Sequence, residues 1–304
     1  LRASPRNNYF PNTGYYGPNT ALHTDGSLYW YRNKNQYSYN TYGAYASGPL
    51  IKDKLFFYVD GEMTKQDGTS VASFSNSSSS TAKTGWNDYT YKMPRWTAKI
   101  DWNITDSNIL EFTGVQDNIV YDSSRYAFNY NDYSHGEVKN GGVHQKDSSR
   151  LYIAKYTSYI TDDLTVSALV GKQNLEHLQQ PFGYDPSCPY ISSSATVQAP
   201  GLTYGACQQG AVSSLLIPGA NDKTHGWRLD VEYRLGDHDL RAGVDEQTAE
   251  SLTGQSYPGG YAWVYGWQAN PNVNIDANGT STPASGGGLG TQGYFVSRAY
   301  NTQN

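Results

Sequence analysis

The sequence lacks the features by which helical membrane proteins and nucleic-acid-binding proteins are usually recognised. No run approaches the ~18 apolar residues that a membrane-spanning helix needs, and no cluster of Lys or Arg suggests a nucleic-acid partner. Charged residues make up only 16% of the chain, against about 25% in ordinary soluble domains. No secretion signal opens the chain, so we expect a mature product or a fragment.

Recognisable catalytic and metal-binding patterns are also missing. The six histidines are scattered without metal-ligand spacing, and no nucleophile-elbow motif occurs. We therefore predict no catalytic residues, no metal and no cofactor. The only two cysteines, Cys188 and Cys207, lie among Pro- and Gly-rich segments. In an exported protein they would form one loop-closing disulfide, and the alternative is a pair of unrelated free thiols.

The residues that are abundant favour β-structure. Tyrosine accounts for 28 of the 304 residues, and Asn, Gly and Ser are also frequent, which gives strong strand and weak helix propensity. Residues 224–251 show the pattern most clearly. Apolar residues from Trp227 to Leu235 alternate with charged ones, a turn follows at Gly236, and the alternation resumes at Leu240. Because period two separates the sets onto opposite faces, we predict a hairpin with an apolar and an ionic face.

This pattern recurs in four hairpins, with short turns inside each hairpin and long aperiodic segments between them. Loops longer than ~15 residues are uncommon in compact soluble domains, whereas outer-membrane barrels have short turns at one end and long loops at the other. We therefore predict an all-β fold, an antiparallel transmembrane β-barrel segment of meandering hairpins, in the outer membrane of a Gram-negative cell. The predicted hairpins span about 36–66, 93–121, 148–178 and 224–251, and the predicted loops span 67–92, 122–147, 179–223 and 252–292.

The remaining segments complete the predicted organisation. An irregular lead-in at 1–35 precedes a partial barrel at 36–304, and an apolar run from Tyr294 is predicted to begin a ninth strand. Aromatic residues near strand ends are expected to form an interfacial girdle. The girdle candidates are Trp30, Trp86, Tyr89, Tyr91, Trp96, Tyr121 and Tyr126.

Charges that face away from lipid would line a wet lumen. They could contact a plug or a solute there, or form a compensating ionic ladder in which each pair contributes little. The residues alone favour the ladder. The lumen-facing candidates are Lys99, Asp101, Glu111, Arg228, Asp230, Glu232, Arg234, Arg241 and Asp245.

Two segments resemble a known family. Residues 42–58 resemble the "GGPIIKDKLFFF" hairpin early in the barrel of TonB-dependent outer-membrane receptors of the Oar-like branch, although Ser47 stands where that family usually has Gly. Residues 98–108 resemble the hairpin that follows it. The positions that match the first motif are Gly48, Pro49, Lys52, Asp53, Lys54, Leu55, Phe56 and Phe57.

The resemblance implies a barrel of about 22 strands around an N-terminal plug, with uptake of a solute or peptide ligand energised by the TonB–ExbB–ExbD complex. The chain departs from that plan because it contains neither a recognisable plug nor a TonB-contacting segment. We therefore expect it to be part of such a barrel, in contact with outer-membrane lipid.

Two other classes stay open from the sequence. A secreted β-sandwich or lectin-like binding module would bury the apolar face between two sheets. A secreted glycosidase would need two carboxyl groups about 5–9.5 Å apart in a cleft, and no such pair can be placed from the sequence.

Overall fold

A computed structural model of the chain describes residues 5–12, 26–73, 81–130, 132–185, 187, 190–192, 215–258, 261–267, 273–275, 281–283 and 294–300. These residues contain no α-helix, and none of them belongs to a helix long and apolar enough to cross a membrane. The all-β prediction is confirmed. The strands are β1 Asn8–Tyr9, β2 Leu28–Trp30, β3 Gln36–Ile51, β4 Leu55–Val71, β5 Thr81–Thr105, β6 Asn108–Asn129, β7 Gly141–Tyr159, β8 Leu164–Pro181, β9 Tyr190–Ser192, β10 Leu215–Leu216, β11 Asn221–Leu235, β12 His238–Leu252, β13 Gln255–Ser256, β14 Tyr261–Trp267, β15 Val273–Ile275, β16 Ser281–Pro283 and β17 Tyr294–Tyr300.

Eight long strands form one meandering sheet in the order β12-β11-β8-β7-β6-β5-β4-β3. The antiparallel registers from β3 through β7, and from β8 through β11 to β12, run almost without interruption. β3 and β12 are its two edges among the described residues, and nearly all of their side chains are exposed. The sheet is therefore an open antiparallel meander, as the hairpin pattern predicts.

The four short turns lie at one end of this sheet, which we call the turn end; the opposite end is the loop end. The turns occupy residues 52–54, 106–107, 160–163 and 236–237. Gly236 has a φ of 60° and Asp53 also has a φ of 60°. Both residue types tolerate this left-handed conformation in tight turns, so the local sequence fixes where these strands reverse.

The strands extend further toward the loop end than the sequence predicts. β5 alone has 25 residues, which is roughly 80 Å along the strand at about 3.3 Å per residue. Much of the predicted loops 67–92 and 122–147 is therefore strand, and the loop 179–223 is shortened at both ends. These outer segments are polar on both faces, so they lack the apolar alternation that signals a strand, but their Tyr and Thr residues favour β-structure.

Residues 179–220 and 253–304 form a separate compact unit. In it, β14 pairs antiparallel with β17 and parallel with β9, while β10 pairs with β13 and β15 with β16. The predicted loop 252–292 thus contains strands, and the strand at Tyr294 pairs locally with β14 instead of joining the eight-stranded sheet. Cys188 and Cys207 lie outside the described residues.

The few fully buried side chains of the long sheet cluster near its loop end. Val71 and Phe128 are each 1% exposed. Tyr31 stacks on Phe128 at a ring-centroid distance of 5.6 Å, and Trp86 stacks on His135 at 4.7 Å.

The predicted lead-in at residues 1–35 is not wholly irregular, because β1 pairs with β2.

Candidate functional site

The register of the long sheet separates its side chains into two faces. Residues that are paired directly across neighbouring strands point to the same side, and successive residues point to opposite sides. Leu229 is paired with both Val244 and Ala168. The same relation links one apolar set across β4 to β7 and another across β8, β11 and β12, and the position of the Lys172 ammonium over the Tyr152 ring places both sets on one side of the sheet. We call the side they share the apolar face, and the two sets together the apolar belt. Its members are Leu55, Phe57, Val59 and Met63 on β4; Pro94, Trp96, Ala98, Ile100 and Trp102 on β5; Leu110, Phe112 and Gly114 on β6; Tyr152, Ala154 and Tyr156 on β7; Leu164, Val166, Ala168 and Val170 on β8; Trp227, Leu229, Val231 and Tyr233 on β11; and Leu240, Ala242 and Val244 on β12.

Among the residues that the structure describes, the apolar belt is not packed into a protein core. Trp102 is 45% exposed, Phe112 46% and Val170 55%. An apolar surface of this extent on an otherwise polar protein indicates contact with lipid or with another protein. The belt is also confined to the turn-side part of each strand, because Lys, Asp and Thr replace apolar residues on the same face nearer the loop end.

Aromatic residues mark both limits of the belt. Trp96, Tyr152 and Trp227 lie at or near its loop-end limit, and Trp102, Tyr156 and Tyr233 lie near its turn-end limit. Tyr and Trp favour membrane–water boundaries because their rings are partly polar.

Of the seven predicted girdle residues, only Trp96 lies near a belt limit. Tyr89, Tyr91 and Tyr121 face the opposite side of the sheet, because each is an odd number of positions away from the belt members of its own strand. Trp86 belongs to the aromatic cluster around Phe128 near the loop end. Two further candidates also lie away from the belt: Trp30 is on β2, and Tyr126 is paired with Trp86.

All nine charged candidates share the other face, which we call the ionic face. On β5 and β6, Lys99 donates a hydrogen bond of 2.9 Å to Glu111 Oε1. Its ammonium also lies 2.9 Å from Asp101 Oδ1 as an ion pair without hydrogen-bond geometry. Lys155 on β7 lies 3.6 Å from Glu111 Oε2. The Glu111 carboxylate is therefore shared by the ammonium groups of Lys99 and Lys155. Lys155 is not among the candidates, although the register between β6 and β7 places it opposite Glu111.

The other candidates form a second series on β11 and β12. Arg228 holds Asp230 through contacts of 2.7–2.9 Å, and Asp245 is paired opposite Arg228. Two looser ion pairs complete the series: Arg241 lies 3.4 Å from Glu232, and Arg234 lies 3.5 Å from Asp239, which is not among the nine candidates.

Most of these pairs are exposed, so each contributes little to stability. The arrangement is what a compensating ionic ladder would show. Contact with a plug or a solute stays a prediction.

Nearer the loop end, the ionic face carries a group of tyrosines. The rings of Tyr91 and Tyr121 lie 4.5 Å apart, and Tyr89 lies 6.0 Å from Tyr91. A Cβ on Gly68 would overlap the Tyr89 ring, so the ring occupies the space above this glycine. Aromatic side chains of this kind supply rigid amphipathic contact area, and the sheet places them on the same face as the ion pairs.

A histidine connects three strands on the same face. His177 on β8 lies 2.7 Å from Asp147 on β7 and 3.2 Å from Asp222 on β11. Ser251 on β12 donates to Asp222 at 2.6 Å. Since both ring nitrogens face carboxylates, the protonated imidazole satisfies both. The hydrogen bond with Asp147 is the main cause that raises the pKa of His177 above its ordinary value; burial opposes the rise, and the hydrogen bond with Asp222 adds to it.

The sheet has long antiparallel strands, an apolar belt on one face, ion pairs on the other and short turns at one end. Together these features define the wall of an outer-membrane β-barrel. The chain is similar in structure to the outer membrane transporter YddB from Escherichia coli, with a TM-score of 0.50 and 13% sequence identity. The match covers 84% of this chain and 30% of that transporter. At this identity the similarity shows the fold alone. No protein-family model matches the chain, and no curated protein matches it in sequence.

Proposed function

We propose that the chain is part of the barrel of an outer-membrane TonB-dependent receptor that binds a solute or peptide ligand and passes it across the outer membrane. The apolar belt carries this proposal. On β5 it runs from Pro94 to Trp102, which fits the about 9–11 tilted residues that a transmembrane strand needs. In this placement the ionic face lines the lumen, and the turn end faces the periplasm.

The two edges of the sheet, which pair with no other strand among the described residues, support a larger barrel. Within the bilayer, unpaired N–H and C=O groups each cost several kcal/mol, so we expect further strands to pair with β3 and β12. The chain spans 30% of the transporter that it resembles in structure. The motif at residues 42–58 supports the same receptor class, in which a plug domain would contact the ionic face.

Membrane placement can be tested on the full-length protein in its native cell. We expect it to be extracted with the outer membrane and to migrate differently on a gel before and after heating, because a closed barrel resists unfolding by detergent. Recovery in the soluble fraction would reject the barrel and favour the β-sandwich module.

Energised transport requires a separate test. We expect the full-length protein to bind the purified C-terminal domain of TonB. If it does not, while the heat-dependent mobility remains, the TonB-dependent receptor assignment is wrong and the barrel assignment stands.

A further inference from the structure

The first polar residues beyond the belt on the apolar face are unusually basic. Four of the eight strands carry a cation at this position: Lys65 on β4, Lys92 on β5, Arg150 on β7 and Lys172 on β8. We call these four residues the cationic row. At the same position the other four strands carry Asn40, Gln116, His225 and Glu246.

The protein itself neutralises this row only in part. Lys65 lies 2.8 Å from Asp67, and Arg150 lies 3.7 Å from Glu176. Lys92 forms no salt bridge among the described residues, although it is paired directly opposite Lys65. Like charges paired directly across two strands are destabilising, and Asp67 compensates only one of these two charges, so the pair keeps a net positive charge that favours a further anion.

Lys172 adjoins an apolar groove. Its ammonium lies 5.8 Å from the centre of the Tyr152 ring and forms no salt bridge in the described part of the chain. The groove below it has a volume of about 520 Å³. Small residues form its floor between larger ones, and a Cβ on Gly114 would lie 3.4 Å from the Trp96 ring. The lining includes Trp96, Ala98, Phe112, Gly114, Tyr152 and Val170.

The groove and the cations together have the chemistry of an anionic lipid. We propose that this surface is a binding site for a lipid with a negatively charged phosphate headgroup, with one acyl chain in the groove and the phosphate beside Lys172, while Lys92 adds positive charge at the same membrane boundary. Basic residues at a membrane boundary attract anionic headgroups, and an aliphatic chain is favoured in a groove with a largely apolar lining. The inference rests on the proposed membrane placement of the apolar face.

The site is tested with the full-length protein in detergent by native mass spectrometry. Phosphatidylglycerol and phosphatidylcholine with identical acyl chains are added in turn, and the retained lipid is counted. We expect phosphatidylglycerol to be preferred, and Lys92→Gln/Lys172→Gln to reduce that preference roughly ten-fold. The control, Lys52→Gln/Lys54→Gln, removes the same charge at the turn end and should keep the preference.

Two further variants separate the headgroup from the acyl chain. Ala98→Leu fills the groove and should lower retention of both lipids, while Lys92→Arg/Lys172→Arg keeps the charge and should keep the preference. Equal retention of the two lipids by the unsubstituted protein, equal loss in the turn-end control, or full displacement of the lipid by inorganic phosphate would overturn the proposal.

Heat-dependent mobility is measured for every protein in the series, so that failure of the lipid site can be told apart from failure of the barrel. An unsubstituted protein that keeps its heat-dependent mobility but retains the two lipids equally would reject the lipid site and leave the barrel intact. Loss of that mobility in the unsubstituted protein would reject the barrel and the lipid site together.

Discussion

The turn-side and loop-side parts of the same eight strands are built differently. On the turn side, apolar residues such as Ile100 occupy one face, and charged residues such as Lys99 and Asp101 occupy the other. On the loop side both faces are polar: Asp67 and Thr90 share one face, joined by a hydrogen bond of 2.7 Å, while Gln66 lies on the other. The backbone ladder continues through both parts. Amphipathic alternation therefore reflects which environment each face of the strand contacts. The formation of the strand itself depends on hydrogen bonding to the neighbouring strands.

The largest expected effect comes from a charge placed inside the belt. Ala168→Lys should destabilise the full-length protein by about 2–4 kcal/mol, the cost of Lys at the bilayer midplane. The neighbouring Ser167→Lys lies on the ionic face opposite Asp230 and should have little effect. The free energy of unfolding in lipid vesicles, measured by urea titration, checks both. Equal effects of the two substitutions would remove the distinction between the faces.

This difference explains how much of the fold can be predicted from the sequence. The alternation from Trp227 to Leu235 and the turn at Gly236 are sufficient to predict a hairpin and its two faces. Residues 81–92 contain no such alternation, so the sequence predicts loop there, although pairing with β4 and β6 makes them strand. The spacing of residues in the sequence does not show which distant strands provide the backbone hydrogen bonds for this segment.

The candidate site is predictable to a similar extent. Period two places all nine charged candidates on one face, but the sharing of Glu111 by Lys99 and Lys155 depends on the register between β6 and β7. The girdle prediction is wrong for residues such as Tyr89 because proximity to a strand end does not define the face. The hydrogen bonds of His177 join three strands and have no local sequence signal.

A second prediction compares two glycines of β4. Gly68→Ala should displace the Tyr89 ring and cost about 1 kcal/mol, toward the low end for overpacking because the ring can move. Gly61 lies on the apolar face, and no atom lies within 4 Å of the place that an alanine methyl group would take there, so Gly61→Ala should be nearly neutral. Urea unfolding and near-ultraviolet circular dichroism of tyrosine measure the two effects. No change in the Gly68→Ala spectrum would show that Tyr89 does not depend on this glycine.

A third prediction concerns the shared carboxylate on the ionic face. Glu111→Gln leaves Lys99 and Lys155 without their common partner and should cost about 1 kcal/mol, the upper range for partly exposed pairs. Asp101→Asn removes only the contact of 2.9 Å with Lys99 and should cost less. Both losses should shrink in high salt, because screening weakens exposed ion pairs. The reverse order of the two losses would contradict the geometry.

The smallest expected effect is a pH dependence at His177, on the loop side. Because its pKa is raised, chiefly by Asp147 and to a smaller extent by Asp222, its contribution to stability is complete below the unfolded value of about 6.5. The contribution is lost as pH rises through the higher folded value. Asp147→Asn removes the larger cause and should flatten this dependence more than Asp222→Asn does. Urea unfolding of the full-length protein across neutral pH measures the slopes, and a slope that His177→Gln leaves unchanged would assign the pH dependence to other groups.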